Sequence, residues 1–288
     1  MGKPAGVTDA KTGSPGGRSL ATFLFMGQTS SAEAFRPLVA ALTGAGVSTD
    51  SGLRDYRGPQ GLWRDDPANQ RLVTIDSYLA DPEIRARSWQ LRLRTGVLQV
   101  QPNAAHRAFA AYERTGLPLR VLTQNVDGLH QLGGVSPRKV LELHGTARRT
   151  ECTRCHARGD MAEALDRVRA GEADPPCTVC GGVLKSATVY FGEHLNPQVL
   201  GEARAIAAAC DVLLAVGTTL QVHPAAGLVD VALAGGARVI VVNADPTPYD
   251  SVAAEVIREP IGTSVPALLR RLAKEADVEW PESPGAPE

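Results

Sequence analysis

Four of the five cysteines stand as two Cys-x-x-Cys pairs, Cys152 with Cys155 and Cys177 with Cys180, and a histidine, His144, lies shortly ahead of the first pair. Paired knuckles of this kind hold one tetrahedral Zn2+ on four thiolates. Four protein ligands close the coordination shell, so the expected metal is structural and staples a module too small to hold its own core. His156, next to Cys155, is a competing ligand that the fourth cysteine makes unnecessary. Arg148, Arg149, Arg154 and Arg158 make the stretch locally basic, which reads as a solvated supporting face although zinc ribbons also bind nucleic acid. Cys210 follows Ala207-Ala208-Ala209 and reads as a small buried apolar residue.

A second group of residues could do acid–base work. Val121-Leu122 leads into the polar loop Gln124-Asn125-Val126-Asp127, and Val140-Leu141-Glu142-Leu143 leads into His144-Gly145. Polar groups just past strand ends are where α/β proteins place chemistry. Of the six histidines, His144 is best placed to act as a base near neutral pH, the alternative being a satisfied structural histidine. Asn125 and Asp127 suit recognition of an amide or a ribose, or the stabilisation of a turn. Upstream, Thr43-Gly44-Ala45-Gly46 follows the first apolar run. Glycines there would let backbone N–H groups approach a pyrophosphate, with a helix N-terminus behind them. The motif is not the full GxGxxG fingerprint, and a tight strand-to-helix turn would look the same. The polar-aromatic continuation Gly52-Leu53-Arg54-Asp55-Tyr56-Arg57-Gly58 favours the binding loop.

These groups need elements to carry them. Near-continuous apolar runs predict buried parallel strands at 37–42, 119–123, 140–143, 188–191, 212–216 and 238–243. Helices are predicted over 103–115, 197–209, 224–234 and 265–272. The alternation argues for a doubly wound parallel sheet. Two regions break it, a charged helical stretch at 56–100 and the cysteine segment. Residues 1–34 and 274–288 read as flexible tails. The start carries Lys3, Lys11 and Arg18 before a short apolar run, a poor imitation of a signal peptide, and a leader or misassigned start fits better. With 43% hydrophobic and 21% charged residues and a net charge of −1, the 288-residue chain has ordinary globular composition. No general affinity for nucleic acid or acidic membranes is expected. No run approaches a membrane span, and reduced thiolates point to the cytoplasm.

The combination resembles the sirtuins, NAD-dependent protein deacylases. TGAGVSTDSG (43–52) with DYRG (55–58), TQNVDGLH (123–130), ELHG (142–145), the two cysteine pairs, FGE (191–193), GTTLQVHP (217–224) and VNADPTP (242–248) follow the family's order. The resemblance spans roughly 36–273. It implies a Rossmann-like core (35–55, 101–147 and 185–273) in a catalytic domain at 35–273, with a helical insert at 56–100 and a zinc-ribbon module at 148–184. It implies that Gly44, Ala45, Gly46, Ser48, Asp55, Tyr56, Arg57, Gln124, Gly217, Thr218 and Thr219 meet the phosphate, ribose and nicotinamide parts of NAD. Asn243 and Asp245 would meet the adenosine ribose and Ser264 the adenine. Asn125 and Asp127 would line the nicotinamide pocket, and His144 would be the general base. An acyl-lysine peptide would lie as an extended strand near Val189, Phe191, Gly192, Glu193 and Val222. The implied reaction consumes NAD as a co-substrate and releases nicotinamide, O-acyl-ADP-ribose and free lysine.

There are departures. Arg54 stands where the family has proline, so a rigid turn becomes a charged, flexible one. Lys185-Ser186 replaces the usual Lys-Pro. The Tyr-x-x-Arg pair of sirtuins that act on acidic acyl groups has no counterpart in Trp89–Thr95, although Arg92 and Arg94 are there, so deacetylation is the expected activity. The alternatives are mono-ADP-ribosyl transfer to protein and a non-enzymatic zinc-ribbon binding module.

Overall fold

The computed structural model describes Gly2 and residues 36–54 and 67–281. The chain separates into two units, Met1–Glu33 and Ala34–Glu288, and the second holds every strand and helix of the described residues. The tail expected at 1–34 lies, Gly2 apart, outside the described residues.

Six strands form one all-parallel sheet: β1 (Val39–Thr43), β2 (Leu119–Thr123), β3 (Val140–Glu142), β7 (Val212–Val216), β8 (Arg238–Val242) and β9 (Glu255–Ile257). Their order is β3-β2-β1-β7-β8-β9. The chain builds outward from β1 in one direction, then returns and builds outward from β7 in the other. The direction reverses between β1 and β7, which pair from Val39↔Val212 to Thr43↔Val216. A crevice at the carboxyl ends of two such strands is the usual ligand site of this architecture.

Burial on both faces explains the unbroken apolar runs. Val39 and Ala41 of β1, with Val212, Leu214 and Val216 of β7, face a core shared with α3 (Ala104–Arg114) and α8 (Ile261–Glu275). The intervening Ala40, Leu42, Leu213 and Ala215 face α6 (Pro197–Ala209) and α7 (Leu228–Ala234) on the other side. Each fully buried valine or leucine contributes about 1.5–3 kcal/mol.

The second part of the unit is smaller. α1 (Ile75–Ala80) and α2 (Pro82–Thr95) precede the sheet's second strand. Three antiparallel strands, β4 (Gly145–Cys152), β5 (Arg158–Asp160) and β6 (Leu184–Thr188), run in the order β5-β4-β6. With α5 (Met161–Arg169) they form the cysteine module. The helical stretch and the cysteine module are not separate. Trp89 of α2 is fully buried with Met161, Leu165 and Val168 of α5 and with Cys152 and Cys177. Arg85 pairs with Asp174 at 2.6 Å, and Tyr78 Oη donates to the Leu184 carbonyl at 2.8 Å.

Two expectations change. The run 188–191 is not a strand of the main sheet. The strand there is β6, which ends at Thr188 and pairs with β4 in the small sheet. Beyond it, Tyr190 turns into a cluster with Tyr78 and Lys185, while Phe191 is 38% exposed and makes a lone parallel bridge to Thr74. An apolar run of that length fits either environment. At the far end, α8 continues to Glu275, and Ala276, Val278 and Trp280 pack against the core. A tail therefore cannot begin at 274, and 282–288 lie outside the described residues. The short strand β9 had no signal in the sequence, since three residues are too few to show a period. Among the described residues no helix is long and apolar enough to cross a membrane.

Candidate active site

The floor of the crevice is a crossing of two backbones. Gly44 N–H donates to the Val216 carbonyl at 3.0 Å and Gly46 N–H to the Gly217 carbonyl at 2.9 Å. A Cβ on Gly44 would fall 2.7 Å from the Gly217 oxygen, one on Gly46 2.8 Å from Gly217 Cα, and one on Gly217 2.4 Å from Val47 N. The glycines are therefore required by close approach. The N–H groups of Gly44 and Gly46, expected to be free for a phosphate, are committed to the neighbouring loop instead. A short 3-10 helix, Ala45–Ser51, follows and ends on Gly52 in the left-handed region at φ 87°. Arg54 is exposed; Asp55, Tyr56 and Arg57 lie outside the described residues.

Above this floor the QNVD loop is tied down residue by residue. Gln124 donates from its side chain to Thr218 Oγ1 at 3.0 Å. Asn125 Nδ2 donates to the Gly44 carbonyl and to Ser48 Oγ, both at 3.1 Å. Ser48 Oγ donates to Asp127 Oδ2 at 2.8 Å, and Asp127 Oδ1 accepts from Leu129 N–H at 2.9 Å. Asn125 and Asp127 are buried. Burial pushes the Asp127 carboxyl above its ordinary range, against the hydrogen bonds from Leu129 and Ser48 that favour its charge. Asn125 and Asp127 thus meet Ser48 in one network.

His144 follows β3 at the same end of the sheet. Its Nδ1 lies 3.0 Å from the Gln124 carbonyl oxygen. A carbonyl can only accept, so the ring proton sits on Nδ1 and the lone pair on Nε2. Burial lowers the ring's pKa, and the Gln124 carbonyl only partly opposes this. The main chain is fixed as well: Leu143 N–H donates to the Thr123 carbonyl and Val189 N–H to that of His144, both at 2.8 Å. At Gly145, φ is 73° and a Cβ would lie 2.2 Å from the Ala187 oxygen, so only glycine lets β4 leave His144 against β6.

The other residues singled out in the sequence divide between buried and exposed positions. Thr218 is buried, with Oγ1 also accepting from Leu220 N–H at 3.3 Å, and Thr219 is partly exposed. Asn243, past the end of β8, donates to the Asp245 carbonyl at 2.8 Å, and Asp245 is exposed. Ser264, in the first turn of α8, spends its hydroxyl proton on the Pro260 carbonyl at 3.0 Å. Phe191 exchanges main-chain bonds with Val73 and Ile75, and Gly192 adopts φ 91°. Glu193 is held by Lys185 Nζ at 2.9 Å and by Tyr190 N–H at 2.7 Å, which ties its carboxylate to the protein. Val222 is partly exposed, and its carbonyl caps the turn at Ala226.

The four cysteines converge. All four Sγ atoms lie within 4.8 Å of one another, with Cys152–Cys180 at 3.5 Å and Cys155–Cys177 at 3.7 Å. The edge of a tetrahedron with Zn–S bonds of about 2.3 Å is about 3.8 Å. Backbone N–H groups of Arg154, Cys155 and Val179 point at these sulfurs at 3.4–3.5 Å and would spread their charge. The donor set fits zinc, and His156 is not in it. Cys210 is buried, and burial pushes its thiol up to about 11, as an inert apolar residue requires.

Sequence reasoning assigned no role to Thr43, Thr123, His106 and His130, buried polar residues behind the loop, and did not pair Lys185 with Glu193. Only His106 gave a local signal, three residues after the helix-capping Asn103.

Comparison with known proteins agrees with this geometry. The sequence profile of the Sir2 family matches residues 44–224. The chain is 68% identical over 237 residues to NAD-dependent protein deacetylase 2 of Streptomyces coelicolor, covering 82% of this chain and 98% of that protein. It is 38% identical over 232 residues to an NAD-dependent protein deacetylase of Saccharolobus solfataricus, covering 81% and 91%. Among solved structures, a Sir2 protein with a p53 peptide and NAD+ superposes at a TM-score of 0.71 and 31% identity, over 83% of this chain and 93% of the other. A Sir2 bound to an acetylated peptide gives 0.70 and 30%, over 84% and 94%. With a reversing parallel sheet, a four-cysteine module and a histidine anchored to the QNVD loop, the chain belongs to the Sir2 family, the sirtuins.

Proposed function

We propose that this protein is an NAD-dependent protein-lysine deacylase, in its simplest form a deacetylase. The observation that carries the reading is His144, whose Nδ1–H is held by the Gln124 carbonyl so that Nε2 presents a lone pair beside the Asn125–Ser48–Asp127 network. A neutral, oriented imidazole is what removal of a proton from a ribose hydroxyl requires. The relatives named as deacetylases, and the neighbours holding NAD+ and an acetylated peptide, support the same chemistry.

NAD and the acyl-lysine chain are both substrates, and their reaction yields nicotinamide, O-acyl-ADP-ribose and free lysine. Asn125 and Asp127 orient the nicotinamide end, Gln124 meets the nicotinamide ribose, Gly44, Ala45, Gly46 and Ser48 line the phosphates and ribose, and Gly217 and Thr218 meet the phosphates. His144 Nε2 takes the hydroxyl proton and returns it when water completes the turnover. The peptide lies along 189–193, next to Val222. The cysteine module's zinc is structural, because its four thiolates leave no open position. The reading includes a cytoplasmic location, supported by the unpaired thiols. It also includes protein rather than nucleic-acid partners, supported by a net charge of −1.

Purified protein with NAD and acetyl-lysine peptide should release nicotinamide and O-acetyl-ADP-ribose together, read by mass spectrometry, and His144→Ala should lower this by about 100-fold or more. Absence of both products across peptides of several acyl chain lengths would overturn the reading. Labelled ADP-ribose left on protein in place of O-acetyl-ADP-ribose would replace it with transfer to protein.

A further inference from the structure

Two histidines stand behind the QNVD loop, outside the chemistry described so far. His106 lies on α3 and His130 on α4 (Leu129–Leu132). Both are buried, and their rings meet edge to face at 5.0 Å.

We infer that His106 is a positioning residue for Asn125 and Asp127, acting through the Ser48 hydroxyl, and that His130 acts likewise on the Asn125 main chain through Thr43 and Thr123. The inference rests on the proposed NAD chemistry for its functional meaning.

Counting protons fixes the direction of each bond. Asn103 N–H donates to His106 Nδ1 at 3.3 Å, so the ring's proton is on Nε2. Nε2 lies 3.5 Å from Ser48 Oγ, the outer limit of a hydrogen bond. Ser48 has one proton, given to Asp127 Oδ2, and its lone pairs face Asn125 Nδ2 and His106 Nε2–H. Two donors converging on that oxygen leave its proton no direction but the carboxylate. The amide of Asn125 is fixed as well, its Nδ2 held by Ser48 Oγ and the Gly44 carbonyl. The second branch is parallel. Thr43 Oγ1 gives its proton to Thr123 Oγ1 at 2.8 Å, so His130 Nε2–H must donate to Thr43 Oγ1 at 2.9 Å. Thr123 Oγ1 then accepts the Asn125 N–H at 3.0 Å.

At His106 the relay needs an imidazole that donates from Nε2 and accepts at Nδ1, which only the neutral ring does; His130 uses Nε2 alone, its buried Nδ1 meeting no partner among the described residues. Burial keeps His106 neutral, lowering its pKa to about 4, and pushes His130 well below the usual value. Asn103 Nδ2 donates to the Val47 carbonyl at 2.8 Å, so α3 is tied to the Ser48 turn as one body.

Two substitutions separate positioning from helix capping. His106→Asn keeps an acceptor for Asn103 N–H and loses the donor to Ser48, whereas His106→Gln places an amide donor near the Nε2 position. With folding checked by thermal midpoint, His106→Asn should lower kcat for nicotinamide release by about 10- to 100-fold with the peptide KM unchanged, and His106→Gln should rescue most of that loss. In a Ser48→Ala background the His106→Asn effect should disappear. A folded His106→Asn with wild-type kcat, equal losses in both variants, or full additivity with Ser48→Ala would overturn the inference. Independently of activity, 15N spectra of histidine-labelled wild-type protein should show His106 as the Nε2–H tautomer. The Nδ1–H tautomer would overturn the relay, and this measurement decides if His106→Asn fails to fold. Should the wild type release no nicotinamide, the proposed function falls while the tautomer test still stands.

Discussion

His144 is held in a form that can only accept at Nε2, and burial sets its pKa below the ordinary 6.5. In the proposed role of base, a ring depressed in this way is fully competent at neutral pH and is lost on acidification. The acid limb of the kcat profile should therefore fall below pH 6.5, as a rate–pH series with acetyl-lysine peptide would record; a midpoint above that value would contradict the burial argument. Ser48→Ala should cost about tenfold or more in the same assay, because it leaves Asp127 Oδ2 and Asn125 Nδ2 without their shared partner. Among single residues, sequence is informative where chemistry is local. His144, Asn125 and Asp127 could be picked out because each follows an apolar run. Thr43, Thr123 and His130 could not, since their roles arise from hydrogen bonds between strands and helices about 80 residues apart.

Among the elements, β4 links the two kinds of site. It begins at Gly145, beside His144, and ends at Cys152, one of the four clustered cysteines. Gly145→Ala would drive a methyl into the Ala187 carbonyl, 2.2 Å away, at a positive φ. Lower thermal stability and at least about a tenfold loss of activity are expected, measured by calorimetry and product release. Cys177→Ser should lose bound zinc, measured by metal analysis, and with it much of the activity, although Cys177 is no part of the base network. Retained turnover in zinc-free protein would show β4 to be independent of the metal. The cysteine spacing declared the ligand set, because a knuckle is a local motif. The apolar letters Val189-Tyr190-Phe191 point to a strand at 188–191, just beyond the one that forms at 184–188. What separates β6 from that run is pairing with β4, which no period within the run encodes.

Over the whole molecule, the order β3-β2-β1-β7-β8-β9 puts the reversal point, the QNVD loop and His144 at one end of the sheet. That architecture was legible from alternating apolar runs and helical spacing, whereas the packing of α2 on the cysteine module was not, because Trp89 meets α5 only in the folded chain. Buried neutral histidines also set the molecule's acid tolerance. The unfolded chain binds a proton at His106 near pH 6.5, whereas the folded one resists to about 4. Its contribution is therefore complete above 6.5 and is lost as pH falls from 6.5 to about 4, on the order of 3 kcal/mol. Urea midpoints at about pH 7.5 and about pH 4.5 should differ accordingly, and His106→Gln should narrow the gap.

The crossing of Gly46 with Gly217 bears on genetic repair. Each imagined methyl there strikes main-chain atoms of the opposite loop. The partner position is already the smallest residue, so damage at one cannot be relieved by shrinking the other. A selection for second-site revertants of Gly46→Ala should recover only true revertants or changes that displace the backbone, and none at position 217.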